Sequence, residues 1–218
     1  MALKTGNRPA PAVLPAPLRA LLASVAGLAG VVVAVLGFMY AGHGEPGAVD
    51  RWFVEPTDDS VRAPWRGVAL AVDFLGEPVG AAALILVAVA GCLLRRRTRA
   101  AVFVVAGVGV TVVVATLLKS LVGRTIHGPD NLSYPSGHTA FLTALAVIVA
   151  LLVVGRSGFG RAAGALLVLA AGLVAGAAMG WAQVALGAHY PTDVLGGWCT
   201  AFTVVPATAW VIDRAGDR

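Results

Sequence analysis

Two short polar segments in an otherwise apolar chain carry the residues whose types and spacing could do chemistry. They are residues 134–139, Tyr-Pro-Ser-Gly-His-Thr, and residues 189–193, His-Tyr-Pro-Thr-Asp. Both are predicted to lie where a helix begins, since each leads into an apolar run. At a helix N-terminus, unpaired backbone N–H groups and the helix dipole favour a bound anion. Because the first segment adds a hydroxyl and an imidazole to these donors, it predicts a phosphate site.

The second segment contains an imidazole with a carboxylate four residues further along the chain. If a helix starts near Pro191, Asp193 can orient and polarise His189 across one helical turn. This pair is therefore the candidate for a nucleophile with its supporting acid.

The composition indicates which kind of element positions these segments. Hydrophobic residues make up 58% of the 218 residues and charged residues only 12%, whereas soluble domains carry about 25% charged residues. The chain is predicted to be an integral membrane protein. Its net charge of +5 does not indicate a nucleic-acid partner, because the basic residues stand between apolar runs of spanning length rather than on one face.

The apolar runs predict an all-α bundle of six transmembrane helices in one membrane domain, residues 18–212. The expected spans are about 18–40, 78–94, 100–119, 136–154, 162–186 and 192–212. Residues 1–17 are predicted to be a mobile, basic, proline-rich tail, and residues 213–218 a second tail. Residues 63–75 could form an interfacial helix or the first turns of the second span.

The basic residues also predict the orientation. The N-terminal tail, the 95–99 loop, the 156–161 turn and the C-terminal end hold eleven of the sixteen Lys and Arg residues. By the positive-inside rule both termini are expected to be cytoplasmic. Both polar segments would then face the extracytoplasmic side of the cell membrane.

Simpler roles exist for several candidates taken singly. Lys119 could be an interface anchor, Ser136 could be simply a helix cap, and His138 could be an interface histidine. His189 with Asp193 is harder to explain in this way, because a carboxylate at the membrane edge is costly and by default marks a functional site.

Taken together, these residues resemble the type 2 phosphatidic acid phosphatase (PAP2) family, which is related in fold to vanadium haloperoxidases. The resemblance rests on Lys119, the run Pro-Ser-Gly-His at 135–138, and the run from His189 to Asp193. It covers about residues 117–197. It implies that His189 is a nucleophile supported by Asp193 and that His138 is a general acid. It also implies that Lys119, Ser136 and Gly137 bind phosphate.

The chain departs from the family pattern at two arginine positions. Ile126 and His127 stand where the first motif has Arg-Pro, and Ala182 and Gln183 stand where the third has Ser-Arg. Arg124 and His127 are expected to compensate from the loop. Gln183 can donate a hydrogen bond to a phosphate oxygen but brings no charge.

The resemblance implies a phosphatase that acts through a phosphohistidine and needs no metal or other cofactor. A zinc site built from the four histidines is not supported by their spacing. A site at headgroup level favours a membrane lipid phosphate, either a phosphatidate-type monoester or a polyisoprenyl phosphate or diphosphate. Two alternatives remain open, a non-hydrolysing relative that binds lipid phosphate and a lipid phosphotransferase. The sequence does not indicate the oligomeric state.

Overall fold

The computed structural model describes residues 12–57 and 61–216 and is all-α. A single turn of 3-10 helix, Ala16–Leu18, leads into the first of eight α-helices. The helices are α1 (Arg19–Met39), α2 (Ala48–Thr57), α3 (Trp65–Phe74), α4 (Pro78–Leu94), α5 (Thr98–Val122), α6 (Gly137–Ser157), α7 (Arg161–Ala185) and α8 (Pro191–Gly216). The described residues contain no sheet, only an isolated bridge between Thr125 and Leu132.

Five helices, α1 and α5 to α8, are long and apolar enough to cross a membrane. The pair α3 and α4 forms a sixth span if counted together, although its two helices are bent by 59°. The bend falls just before Pro78, which occupies the first turn of α4, where a missing N–H costs nothing. The prediction of an all-α transmembrane bundle is confirmed, with five spans, or six if α3 and α4 together form one. Residues 63–75 could, from the sequence, form an interfacial helix or the first turns of a span. They contain a separate short helix, α3, that leads into α4.

The core is centred on α6, which is the most buried of the five long spans. It packs against α5, α7 and α8, and α1 covers the other side of α8. Glycines on α7 allow this close packing. A side chain at Gly172 would collide with Phe202, and one at Gly176 would collide with Trp198. The rigid centre of the bundle therefore carries the start of α6, where the first polar segment lies.

The described part of the N-terminal tail is packed against the end of α8. Residues 1–11 of the predicted mobile tail lie outside the described residues. Val13 and Leu14 are buried, and their N–H groups donate to the carboxylate of Asp213 at 2.8 and 3.0 Å. Arg99 pairs with the same carboxylate at 3.0 Å. Asp213 thus joins Val13 and Leu14, near the end of the expected tail, to the end of α8.

Both polar segments meet at one end of the bundle. The C-terminal ends of α5 and α7 and the N-terminal ends of α6 and α8 lie there, because consecutive long helices run antiparallel. The loops 123–136 and 186–190 connect them.

Candidate active site

The two polar segments are joined directly through the backbone. Ser136 N donates to the carbonyl of Asp193 at 2.9 Å. Gly197, one turn further along α8, packs against the backbone of Ser136 with no room for a Cβ atom. The start of α6 and the start of α8 are therefore held in fixed register.

Ser136 is the N-cap of α6. Its Oγ accepts from Thr139 N at 3.4 Å and lies 3.0 Å from Thr139 Oγ1, and the side chain is fully buried. The capping role considered for Ser136 is thus present. The first-turn N–H groups that follow, starting with Gly137, are the orphan donors of a helix N-terminus.

His189 stands between the last turn of α7 and the first turn of α8. Gly187, with φ +70°, makes the turn that a residue with a side chain would resist. His189 Nδ1 lies 3.7 Å from Asp193 Oδ2, a contact that is an ion pair only when the imidazole is protonated. The same carboxylate oxygen accepts from Tyr190 N at 3.0 Å. Because Nδ1 faces the carboxylate, Nε2 is the ring nitrogen left for attack on a substrate.

The imidazole of His189 is only 9% exposed. Burial lowers its pKa below the ordinary value, the neighbouring Asp193 carboxylate works against this, and the positive charges of Lys119 and His138 add to the lowering. A neutral imidazole is the form that can act as a nucleophile.

Arg124 lies on the other side of Asp193 and is fully buried. Its Nη1 donates to Asp193 Oδ1 at 2.7 Å and to Thr192 Oγ1 at 2.6 Å, and its Nη2 donates to Asp50 Oδ2 at 2.7 Å. Its guanidinium stacks over the rings of Tyr40 and Tyr190. Both terminal nitrogens of Arg124 thus contact carboxylates, and its role as a phosphate ligand stays a prediction.

Asp50 connects the short helix α2 to this network and is also fully buried. Its Oδ1 accepts from Thr192 N at 2.9 Å, which caps the start of α8 from outside. Its Oδ2 accepts from Thr192 Oγ1 at 3.0 Å and from Gly47 N at 3.0 Å. Two carboxylates, Asp50 and Asp193, therefore share one guanidinium, and the chain from α2 to His189 is continuous.

His138, in the first turn of α6, faces the bend between α3 and α4. Its Nε2 lies 3.8 Å from Asp73 Oδ1 and 3.6 Å from Glu77 Oε1, and these contacts are ion pairs only when the imidazole is protonated. Donor atoms of the three side chains lie within 4.8 Å of one another, so they could also hold a metal ion. Gly76 packs against the ring so closely that a Cβ would collide with it.

Lys119 and His138 lie at the head of an apolar cavity between α4 and α5. The cavity measures about 610 Å³ and is lined further down by residues such as Ile85, Val108 and Val112. Lys119 Nζ donates to the carbonyl of Leu132 at 2.7 Å, so the ammonium is held at the loop side. A positive charge above an apolar cleft between transmembrane helices is suited to an amphiphile with an anionic head.

The remaining predicted phosphate ligands have other partners. The Gln183 side chain is 2% exposed, and its Nε2 donates to Asp73 Oδ1. His127 Nε2 lies 2.7 Å from the carbonyl of Gly187, which places its ring beside the loop that carries His189. His138, His189, Asp193 and Lys119 therefore lie at one end of the bundle. Gln183 donates to Asp73, and Arg124 donates to Asp50 and Asp193.

Sequence reasoning missed the acids Asp50, Asp73 and Glu77. Asp50 lies between the first two predicted spans together with several other acids, and nothing in the sequence distinguishes it from them. Asp73 did carry a signal, because it lies within the apolar stretch Val68–Phe74, where an uncompensated carboxylate would be costly.

The fold and the site define a multi-pass membrane protein that carries two histidines and an aspartate at one end of its helix bundle. The sequence profile of the PAP2 superfamily matches residues 100–217, which is more than half of the chain, and the chain therefore belongs to that superfamily.

One solved structure supports the same fold. It is the crystal structure of the first transmembrane PAP2-type phosphatidylglycerolphosphate phosphatase from Bacillus subtilis, with a TM-score of 0.64 and 22% sequence identity. The match covers 89% of this chain and 96% of that one. No curated protein matches the chain.

Proposed function

We propose that the protein removes a phosphate group from a membrane lipid phosphate through a phosphohistidine at His189. The observation that carries this proposal is the position of Lys119 and His138 at the head of the 610 Å³ apolar cavity. A lipid tail fits that cleft, and its phosphate would then lie next to the two histidines. Membership of the PAP2 superfamily supports the same reaction class.

In the proposed reaction, His189 Nε2 attacks phosphorus as the bond to the leaving alkoxide breaks, and His138 donates its proton to that oxygen. A water molecule then attacks the phosphorus, the N–P bond breaks, and His138 takes the proton of the water. Lys119 and the first N–H groups of α6 stabilise the equatorial oxygens. The substrate class comprises phosphatidate-type monoesters and polyisoprenyl phosphates or diphosphates.

Arg124 and Asp50 are assigned a positioning role in this proposal. Arg124 occupies Asp193 Oδ1, so that only Oδ2 is directed at His189 Nδ1. Asp50 holds the second terminal nitrogen of Arg124 and prevents the guanidinium from turning away. The site is further proposed to face the extracytoplasmic side and to work without a metal ion.

The test uses purified protein in detergent with phosphatidate, phosphatidylglycerol phosphate and a polyisoprenyl diphosphate, with released phosphate measured. We expect release from at least one lipid, loss of release in His189→Ala, and an acid-labile phosphoprotein trapped in His138→Ala. Release that survived in His189→Ala would refute the mechanism. Lipid binding without turnover on every headgroup would favour the non-hydrolysing alternative, and phosphate transferred to an acceptor other than water would favour a phosphotransferase.

A further inference from the structure

A second cavity, separate from the apolar cleft, is lined by His189. This outer cavity measures about 280 Å³ and is lined by Arg66, Ile126, His127, His189 and Tyr190, together with the end of α7. It is formed by the loops at the end of the bundle. His189 therefore lines this smaller cavity, whereas Lys119 and His138 line the apolar cleft.

Among the described residues that line the outer cavity, Arg66 is the charged one, and His127 and His189 add imidazoles. Arg66 is exposed in the first turn of α3, and its guanidinium makes no hydrogen bond or ion pair with another of the described residues. His127 contributes an imidazole whose Nε2 is used by the carbonyl of Gly187. No acid is among the described residues that line the cavity. By contrast, Asp73 and Glu77 lie beside His138 on the other side of the site.

We infer that the outer cavity is an anion subsite that receives a phosphate group, with Arg66 as its cation. The nature of the anion rests on the proposed function. The phosphate could be the free product of phosphohistidine hydrolysis or the second phosphate of a diphosphate substrate, and the two share the same chemistry. A phosphate dianion is repelled by Asp73 and Glu77 and attracted by Arg66, so it moves from His189 toward the loops.

This assignment also supplies a guanidinium to a site that lacks two of them at the expected positions. Ile126 occupies one of those positions and is 4% exposed in the wall of the outer cavity. Gln183 occupies the other and is bonded to Asp73. Both terminal nitrogens of Arg124 are bonded to carboxylates, those of Asp50 and Asp193. Arg66 reaches the same space from a different helix.

The experiment is calorimetric titration of inorganic phosphate into the purified full-length protein. Arg66→Met is compared with Arg66→Lys and with Arg62→Met, which removes an exposed arginine one turn away that does not line the cavity. We expect Arg66→Met to weaken phosphate binding about tenfold, since a hydrogen bond to a charged group contributes roughly that much. Arg66→Lys should restore part of the affinity, and Arg62→Met should bind phosphate like the parent.

Equal effects of Arg66→Met and Arg62→Met would refute the subsite, as would unchanged phosphate affinity in Arg66→Met, which would place the ion at Lys119. Turnover assays of the same variants distinguish the two sources. A KM raised only for the diphosphate would assign the subsite to the second phosphate, whereas weaker product inhibition with unchanged KM would assign it to free phosphate. If the parent hydrolysed no lipid, the proposed function would fail, while the titration would still decide the subsite.

Discussion

The guanidinium of Arg124 and the carboxylate of Asp193 are 2.7 Å apart, and both side chains are fully buried. Asp193 has two oxygens, and this ion pair occupies the one that does not face His189. The pair thereby sets the direction of the other oxygen. We therefore propose that Arg124 positions Asp193 behind the nucleophile rather than binding the phosphate.

Arg124→Lys is expected to lower kcat about ten- to a hundredfold with little change in KM. A lysine cannot donate to Asp50 and Asp193 at once in the geometry of a guanidinium, and loosened positioning costs that much in rate. Steady-state kinetics with a lipid phosphate measures kcat and KM of this variant. Arg62→Lys, the same change at an exposed arginine, is the control. A raised KM with unchanged kcat would instead return Arg124 to the role of a phosphate ligand.

Asp50→Asn is expected to lower kcat about tenfold, although Asp50 touches only Arg124, Thr192 and Gly47 among the site elements. The amide keeps an oxygen for Thr192 N but loses the charge that holds the guanidinium. Glu45→Gln, an exposed change of the same kind before α2, is the control. The double variant Asp50→Asn with Arg124→Lys should be non-additive, because both act through one network. Additive losses would contradict that network.

The imidazole of His189 is expected to titrate below its ordinary pKa of about 6.5. Burial and nearby positive charge lower the pKa of His189. The imidazole therefore stays neutral at a lower pH than an ordinary histidine. It is protonated, and can no longer act as a nucleophile, only when the pH falls below that lowered pKa. Lys119→Met removes one of the charges and should raise the pKa, while Lys119→Arg should not. NMR titration of ¹⁵N-labelled histidine, assigned with His189→Ala, measures this. A parent pKa above 6.5 would contradict the burial argument.

Catalysis is expected to survive removal of divalent cations. Phosphate release after treatment with EDTA should equal that of untreated protein. In the Glu77→Gln variant, release with and without EDTA should likewise be equal. The competing possibility is a cation held by Asp73, Glu77 and His138. That site would be established instead if chelation abolished the activity and added Mg²⁺ or Mn²⁺ restored it. The activity of Glu77→Gln should then not respond to added metal.

The orientation can be tested by cysteine labelling in a variant in which Cys92 and Cys199 are replaced by alanine. A cysteine at Ser157, at the exposed end of α6, should react with an impermeant maleimide only from the cytoplasmic side. A cysteine at Ala188, in the exposed loop beside His189, should react only from outside. The reverse pattern would place the site in the cytoplasm.

The sequence alone predicts the long spans well, because each depends on the composition of a single continuous run. It also predicts that His138, His189 and Asp193 come together, since each stands at a helix end that the antiparallel connections bring to one side. It cannot predict the partners of Arg124 and Gln183. Those depend on Asp50 and Asp73, which lie 74 and 110 residues away along the chain and meet them only through packing.

The bend between α3 and α4 has a consequence for the bilayer itself. Because the chain turns by 59° before Pro78, α4 has only 17 residues, a length of about 25 Å at about 1.5 Å per residue. The hydrocarbon layer is about 30 Å thick, and a short span is matched by local thinning. We therefore expect lipids beside α4 to be drawn toward the membrane centre, which would bring their headgroups closer to Lys119 and His138 at the mouth of the cleft.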